Sequence, residues 1–219
     1  MIQAMKTGLL LGALLFSLCL FAPAKAIAAS AARQALENTI NQVLMELQKP
    51  GLHDPAQRKT IEGNIERIVL ALFSFEELSM RTVGPNWKNF TPDQQKRFMD
   101  AFETLLRERY TDALEGYSGG SVTYLKETPV GSSGDRVQID TAVIINAKSV
   151  PVNYRMQREK GGNWVVYDII IEGVGMVQNY RSQFQSVLQR GNAEELITLV
   201  RARADEMRET NAKKRQGKS

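Results

Sequence analysis

The hydrophobic pattern of this 219-residue chain changes from helical spacing to strict alternation and then back again. Up to about residue 117, apolar side chains recur every three or four positions, which predicts helices. Between residues 122 and 172 they alternate with polar ones, which predicts strands with one apolar face. Helical spacing returns after residue 177. Strands grouped between helices predict an α+β domain with an antiparallel sheet.

The helices have recognisable starting points. Ser74 with Glu77, and Thr91 with Gln94, have the spacing of capping boxes, in which two side chains satisfy free amides at a helix start. The pattern predicts helices over residues 31–48, 54–73, 91–117 and 177–189, a short helix after Ser74 and a last helix from Asn192.

The alternating segments predict four strands, over residues 122–125, 137–145, 150–157 and 164–172. Strict alternation in the last strand puts Tyr167 on one apolar face together with Ile169 and Ile171. Helices folded onto one face of such a curved sheet would form a cone with an open mouth and an apolar interior.

The N-terminus has the order of a secretory signal peptide. Lys6 precedes an uncharged apolar run over residues 8–22, and small residues that suit cleavage follow it. A membrane anchor is the alternative, but the run is shorter than the ~20 residues that a spanning helix needs. We therefore expect a signal peptide over residues 1–28, one α+β domain over 29–212 and a basic flexible tail over 213–219, in an exported protein.

The composition of the remaining chain narrows the functional classes. Cys19 is the only cysteine and lies in the predicted signal peptide, so the mature chain has neither a disulfide nor a thiolate metal site. Loss of Lys6 and Lys25 lowers the formal net charge from +4 to +2. The basic residues are dispersed and the aromatic ones lie on apolar faces, which argues against a nucleic-acid partner.

Candidate catalytic residues are few. His53 is the only histidine and lies in a predicted loop, so we expect no metal site and no cofactor. Asp168 and Glu172 share one face of the last strand and could form an acid/base couple. The alternative is that they pair with arginines or helix N-termini on the polar side of the sheet.

Two blocks of sequence resemble the MlaC family, also called the toluene-tolerance family. The first carries Phe-Glu-Glu-Leu at 75–78, Val-Gly-Pro-Asn-Trp at 83–87 and Thr-Pro-Asp-Gln-Gln at 91–95. The second carries Gly-Asn-Trp-Val-Val-Tyr-Asp at 162–168, Glu-Gly-Val-Gly-Met at 172–176 and Asn-Tyr-Arg at 179–181. Gly175 departs from the pattern, where serine is expected more often.

The resemblance implies an NTF2-like fold and a function in lipid transport without catalysis. A family member would be a periplasmic carrier that shuttles phospholipid between an outer-membrane lipoprotein–porin complex and an inner-membrane ABC transporter complex with its lipid-binding subunit. This traffic would maintain the lipid asymmetry of the outer membrane. We expect a monomer with phospholipid as its cargo.

A carrier of this kind needs a pocket with apolar walls. We expect apolar residues of the strands and helices, given at the end of this paragraph, to line it. An enzyme of the isomerase or dehydratase type, with Asp168 as its best candidate residue, and a ligand-free adaptor are the alternative functions. For each apolar residue the alternative is a packed core, because a core needs the same residue types. The predicted lipid-binding residues are Leu72, Phe75, Phe102, Leu106, Val143, Ile145, Val152, Tyr154, Tyr167, Ile169, Ile171 and Met176.

Overall fold

A computed structural model of the chain describes residues 30–115, 120–145 and 148–216. The predicted signal peptide therefore lies outside the described residues. The predicted α+β class with a curved antiparallel sheet is confirmed. The helices are α1 (Ala31–Leu47), α2 (Pro55–Leu72), α3 (Phe75–Val83), α4 (Pro92–Glu115), α5 (Met176–Leu188) and α6 (Ala193–Gln216). Helix α6 thus continues into the predicted tail, of which residues 217–219 lie outside the described part.

Capping contacts set where the helices begin. The Thr91 Oγ1 accepts the Gln94 amide at 3.2 Å while the Gln94 side chain accepts the Thr91 amide at 2.9 Å, so the predicted capping box is confirmed. At α3 only half of the predicted box forms, because the Ser74 Oγ accepts the Glu77 amide but the Ser74 amide donates to the Val166 carbonyl. This second bond attaches the α2–α3 junction to the sheet.

The strands form one antiparallel meander in the order β1-β2-β3-β4-β5. A turn through Glu172 and Gly173, both with positive φ, leads into a short fifth strand that the alternation did not predict. The β1–β2 and β3–β4 pairs each contain an irregularity in register. The strands are β1 (Val122–Pro129), β2 (Arg136–Ile145), β3 (Lys148–Arg158), β4 (Trp164–Ile171) and β5 (Val174–Gly175).

The helices pack on both sides of the sheet, whereas the sequence pattern predicted helices on one face only. Helices α1 and α2 cover one face, and their buried residues Ala32, Leu36 and Leu72 join a cluster with strands β2 to β4. Helices α3 and α5 contact β4 and belong, with α4 and α6, to a separate helical core. Among the described residues the sheet therefore separates two apolar clusters, and a third, smaller one with Leu47, Leu52, Ile61 and Ile65 joins α1 to α2.

Aromatic rings dominate the helical core. Phe98, Phe102 and Phe184 are completely buried, and their ring centroids lie 5.4 to 5.6 Å apart. Tyr180 completes the group at 4.9 Å from Phe102. Edge-to-face contacts at these distances add to the free energy gained from burial alone.

We expect Phe184→Ala to lower the free energy of unfolding by about 3–5 kcal/mol, because it empties the centre of this aromatic group. Urea denaturation followed by circular dichroism measures the change. Met45→Ala is the control, since Met45 is 67% exposed and its replacement should change stability by less than about 0.5 kcal/mol. Equal effects of the two substitutions would contradict the assignment of the core.

Candidate functional site

One face of the sheet, which we call the inner face, is almost wholly apolar. Its rows run across three strands, as in Ile139 opposite Tyr154 and Tyr154 opposite Ile169. Thr141 is a polar member of this face, and its hydroxyl is satisfied because it donates to the Val152 carbonyl at 2.7 Å. The inner face comprises Val137, Ile139, Thr141, Val143, Val150, Val152, Tyr154, Met156, Val166, Ile169 and Ile171.

A β-bulge in β4 determines which side chains belong to this face. Arg155 pairs with Asp168 while Met156 pairs with Val166, so Tyr167 is the extra residue. Val166 consequently lies on the inner face with Ile169. The alternation that grouped Tyr167 with Ile169 is wrong at this point: Tyr167 faces the opposite side, where the Arg81 guanidinium stacks on its ring at 4.1 Å.

Burial decreases along the inner face from one end to the other. Met156 and Val166 are completely buried at the end that α1 covers. Val143 is only half-buried near the other end, and Ile171 is 37% exposed. We call the apolar surfaces of the inner face and of the sides of α1 and α2 that cover it the chamber. The end at Met156, where the side chains are buried, is its closed end, and the end at Ile171, where they are partly exposed, is its open end.

The two covering helices leave a hollow beside the closed end. Its volume is about 410 Å³, which lies within the ~300–1,000 Å³ of ligand pockets. Leu72, a predicted lipid-binding residue, lies in its wall together with Ile68. The other lining residues are Ala35, Thr39, Gln42, Ala71, Glu159, Asn163, Trp164 and Val165.

Two tyrosines mark the middle of the chamber. Tyr154 lies deep in the fold, and burial raises the pKa of its hydroxyl to about 12, yet part of its side chain remains accessible. The Tyr124 hydroxyl is shielded from solvent and has no hydrogen-bond partner among the described residues. Burial, the nearby Glu37 carboxylate and Tyr154 raise the pKa of Tyr124. Both hydroxyls therefore lie in surroundings that disfavour their charged form.

The structure distributes the other predicted lipid-binding residues over several places. Leu72, Val143, Val152, Tyr154, Ile169 and Ile171 come together at the chamber. Phe102 and Leu106 are buried in the helical core, and Met176 packs against that core while remaining half-buried. Phe75 is also half-buried there, and its ring centroid lies 6.1 Å from that of Phe73 in the inner-face cluster. The side chain of Ile145 lies outside the described part.

Sequence reasoning missed the contributions of α1 and α2 to this site. Ala35, Thr39 and Gln42 recur at helical spacing and line the hollow, but two of the three are polar and were not considered as lining. Ile68 was recognised only as part of a helical stripe. The available signal was the consecutive apolar run at the end of α2, because a helix that is apolar on all sides must contact more than one apolar surface.

Asp168, the candidate acid or base, has structural partners on the other face of the sheet. Its Oδ1 accepts the Val177 amide at 2.9 Å, and its Oδ2 lies 3.4 Å from Arg155 Nη1. The residue before α5 is Gly175, which offers no side-chain cap, so the strand supplies the cap that serine would otherwise provide. Glu172 instead lies 3.5 Å from the Lys148 amine in the exposed turn. The two carboxylates therefore do not form a couple.

The described residues offer few other candidates for a metal, membrane or catalytic site. No group of three metal-ligating side chains occurs among the residues that the structure describes. None of the described helices has the length and apolar character needed to cross a bilayer. His53 lies in a short 3-10 turn between α1 and α2, and its side chain lies outside the described part.

Comparisons with known proteins agree on one family. The family model described as MlaC protein matches residues 37–202. The intermembrane phospholipid transport system binding protein MlaC of Haemophilus influenzae is 24% identical over 156 residues, which are 70% of this chain and 71% of that protein. The toluene tolerance protein ttg2D of Pseudomonas putida is 24% identical over 192 residues, 87% of this chain and 85% of that protein.

A solved structure has the same fold. It is the phospholipid-binding protein from Ralstonia solanacearum in complex with a phospholipid, and it superimposes with a TM-score of 0.72 at 24% identity. The match covers 81% of this chain and 99% of that chain.

We expect Tyr124→Phe to leave the free energy of unfolding unchanged or to raise it by up to about 1 kcal/mol, because it removes a shielded hydroxyl that has no partner. Thr141→Val is the matched control, since it removes a buried hydroxyl that does donate a bond, and should cost about 1 kcal/mol. Urea denaturation measures both. A clear loss of stability in Tyr124→Phe would show that the Tyr124 hydroxyl does have a stabilising partner.

The protonation of the Asp168 carboxyl should make the stability of the protein depend on pH. Burial raises the pKa of its carboxyl above the value of about 3.9 in an unfolded chain, so the folded state binds the proton more readily between the two values. Asp168→Asn keeps a side-chain oxygen that can accept the Val177 amide, but it removes the ionisable carboxyl group. The native protein should therefore gain stability relative to this variant on acidification from about pH 7 to pH 4. A relative loss would show that the charged form is the one stabilised.

Proposed function

This chain belongs to the MlaC family, and we propose that it is a periplasmic carrier that binds phospholipid, with the acyl chains in the chamber and the headgroup at its open end. The observation that carries the proposal is the apolar inner face that is closed at Met156 and open at Ile171.

Physical chemistry explains why a lipid carrier needs such a chamber. Each methylene removed from water contributes ~0.8 kcal/mol, so two acyl chains of sixteen carbons represent roughly 25 kcal/mol of gross transfer free energy. A carrier must offer the chains an apolar environment nearly as complete as the bilayer. Half-buried apolar side chains from both the sheet and the helices offer it here, because they can pack against an inserted chain.

The names of the relatives support the same function. The relative from Haemophilus influenzae is called the binding protein of an intermembrane phospholipid transport system. The superimposed structure holds a phospholipid. A fold and a family shared with such proteins favour phospholipid as the cargo of this chain, while the residues that contact it remain those proposed from the chamber.

We further propose the route that the family implies. The carrier would exchange phospholipid with an outer-membrane lipoprotein–porin complex and with an inner-membrane ABC transporter complex. In this way it would contribute to the lipid asymmetry of the outer membrane. No catalytic step is part of the proposal, because the contacts of Asp168 are explained by capping α5 and by Arg155.

The proposed location requires export, with the signal peptide removed after Ala28. Ser30 caps α1 by accepting the Arg33 amide at 3.1 Å, so this cleavage leaves the first helix intact. The single domain over residues 29–212 would then include both the chamber and the helical core.

The test is native mass spectrometry of the protein purified from the periplasm, beside mass spectrometry of its organic extract. We expect a chain that begins at Ala29 and carries phospholipid in stoichiometric amount. Protein that is free of lipid and takes none from vesicles would contradict the proposal and favour an adaptor that binds only proteins.

A matched pair of substitutions on β4 tests the chamber itself. Ile169 and Ile170 are neighbours in the chain but lie on opposite faces of the sheet. Ile169→Trp fills the chamber and should lower lipid occupancy roughly fivefold, since overpacking by a large ring costs on the order of 1 kcal/mol or more. Ile170→Trp should leave occupancy unchanged. Equal occupancy in both folded variants would contradict the assignment of the chamber.

A further inference from the structure

The outer face of the sheet, opposite the chamber, carries a cleft in which arginines converge. Its volume is about 590 Å³, and four of its lining residues are Arg81, Arg136, Arg155 and Arg181. Asp168 is the only carboxylate among the lining residues. We call this the arginine cleft. The remaining lining residues are Val130, Tyr167, Ile170, Gly173, Gly175, Val177 and Gln178.

The two arginines from the helices are held in fixed positions. Arg81 stacks on the Tyr167 ring and lies 2.9 Å from the Glu77 carboxylate. Arg181 donates from Nε to the main-chain carbonyl of Arg81 at 2.7 Å, and its Nη2 donates to the same oxygen. No carboxylate contacts Arg181 among the described residues, so its charge is balanced only by the carbonyl end of α3.

The two arginines from the strands are more exposed and less fully bonded. Arg155 is 41% exposed; its Nε donates to the Gln138 side chain at 3.2 Å, and its contact with Asp168 is long, at 3.4 Å. Arg136 is 37% exposed and lies 3.6 Å from Asp135. A guanidinium has five N–H donors, and these contacts use few of them. Both side chains therefore keep N–H donors that these contacts do not use.

The cleft is longer than one anionic group. Its lining comes from β2, β3 and β4, and adjacent strands lie ~4.8 Å apart, so it extends over ~10 Å from Arg136 to Asp168. Apolar side chains of Val130, Ile170 and Val177 line the same cleft. A single phosphate would contact one part of this surface, whereas an extended peptide can place carboxylates and apolar side chains along all of it.

We propose that the arginine cleft is a docking site for an acidic, extended segment of a partner protein. Planar guanidinium groups bind carboxylates with two parallel hydrogen bonds, which gives the contact orientation as well as attraction. Arg81 and Arg181 are recessed between α3, α5 and the sheet, so a flat membrane surface reaches them less well than a peptide does. The site is on the opposite face from the chamber and does not depend on the proposed lipid carriage.

The experiment uses the full mature chain and a fluorescein-labelled peptide in which glutamate and leucine alternate, about six residues long so that it exceeds the length of the cleft. Fluorescence anisotropy measures its affinity. Arg136→Gln and Arg155→Gln should each weaken binding roughly tenfold, because each removes charge-assisted hydrogen bonds. Arg190→Gln, an equal change of charge at an exposed position outside the cleft, should leave the affinity unchanged.

Three outcomes would overturn the proposal. One is equal binding of a peptide with glutamine in place of glutamate. Another is an equal loss in Arg190→Gln and Arg136→Gln, which would indicate attraction to net charge alone. The third is that the protein binds phosphatidylglycerol vesicles and not the peptide, and that Arg136→Gln abolishes the vesicle binding. This result would show that the cleft binds a lipid surface. Ile170→Trp should weaken binding of the peptide and leave the amount of bound lipid unchanged. This difference would show that the arginine cleft and the chamber are separate sites.

Discussion

The β-bulge at Tyr167 is the constraint on which both sites of this protein depend. Without the extra residue, Val166 and Ile169 would point to opposite faces of β4. With it, both lie on the inner face, while Tyr167 and Asp168 face outward. One inserted residue therefore completes the apolar wall of the chamber, and it brings a ring and a carboxylate to the arginine cleft.

The same stretch of β4 anchors the surrounding helices. Val166 forms a bridge with Phe73 and accepts the Ser74 amide at 3.1 Å, which fixes the junction between α2 and α3. Asp168 caps α5 on the other side. Because α2 covers the chamber while α3 and α5 border the cleft, the positions of all three depend on local hydrogen bonds to one strand.

The packed core and the proposed cargo site lie in different parts of the domain. Residues 29–219 contain no cysteine, so no disulfide can form within this part of the chain. The aromatic group around Phe98 and Phe184 is closed and supplies a packed core. The chamber can then remain open at Ile171, since its packing need not support the whole fold.

The sequence by itself determined the order of elements, the capping box at Thr91 and the α+β class, because these depend on residue spacing along the chain. Only the tertiary structure decided that Phe102 belongs to the helical core while Tyr154 faces the chamber, since periodicity shows that a side chain is buried but not what covers it. The side of Tyr167 was likewise decided by the bulge, which arises from pairing with β3 and leaves no mark in the alternation of β4 alone.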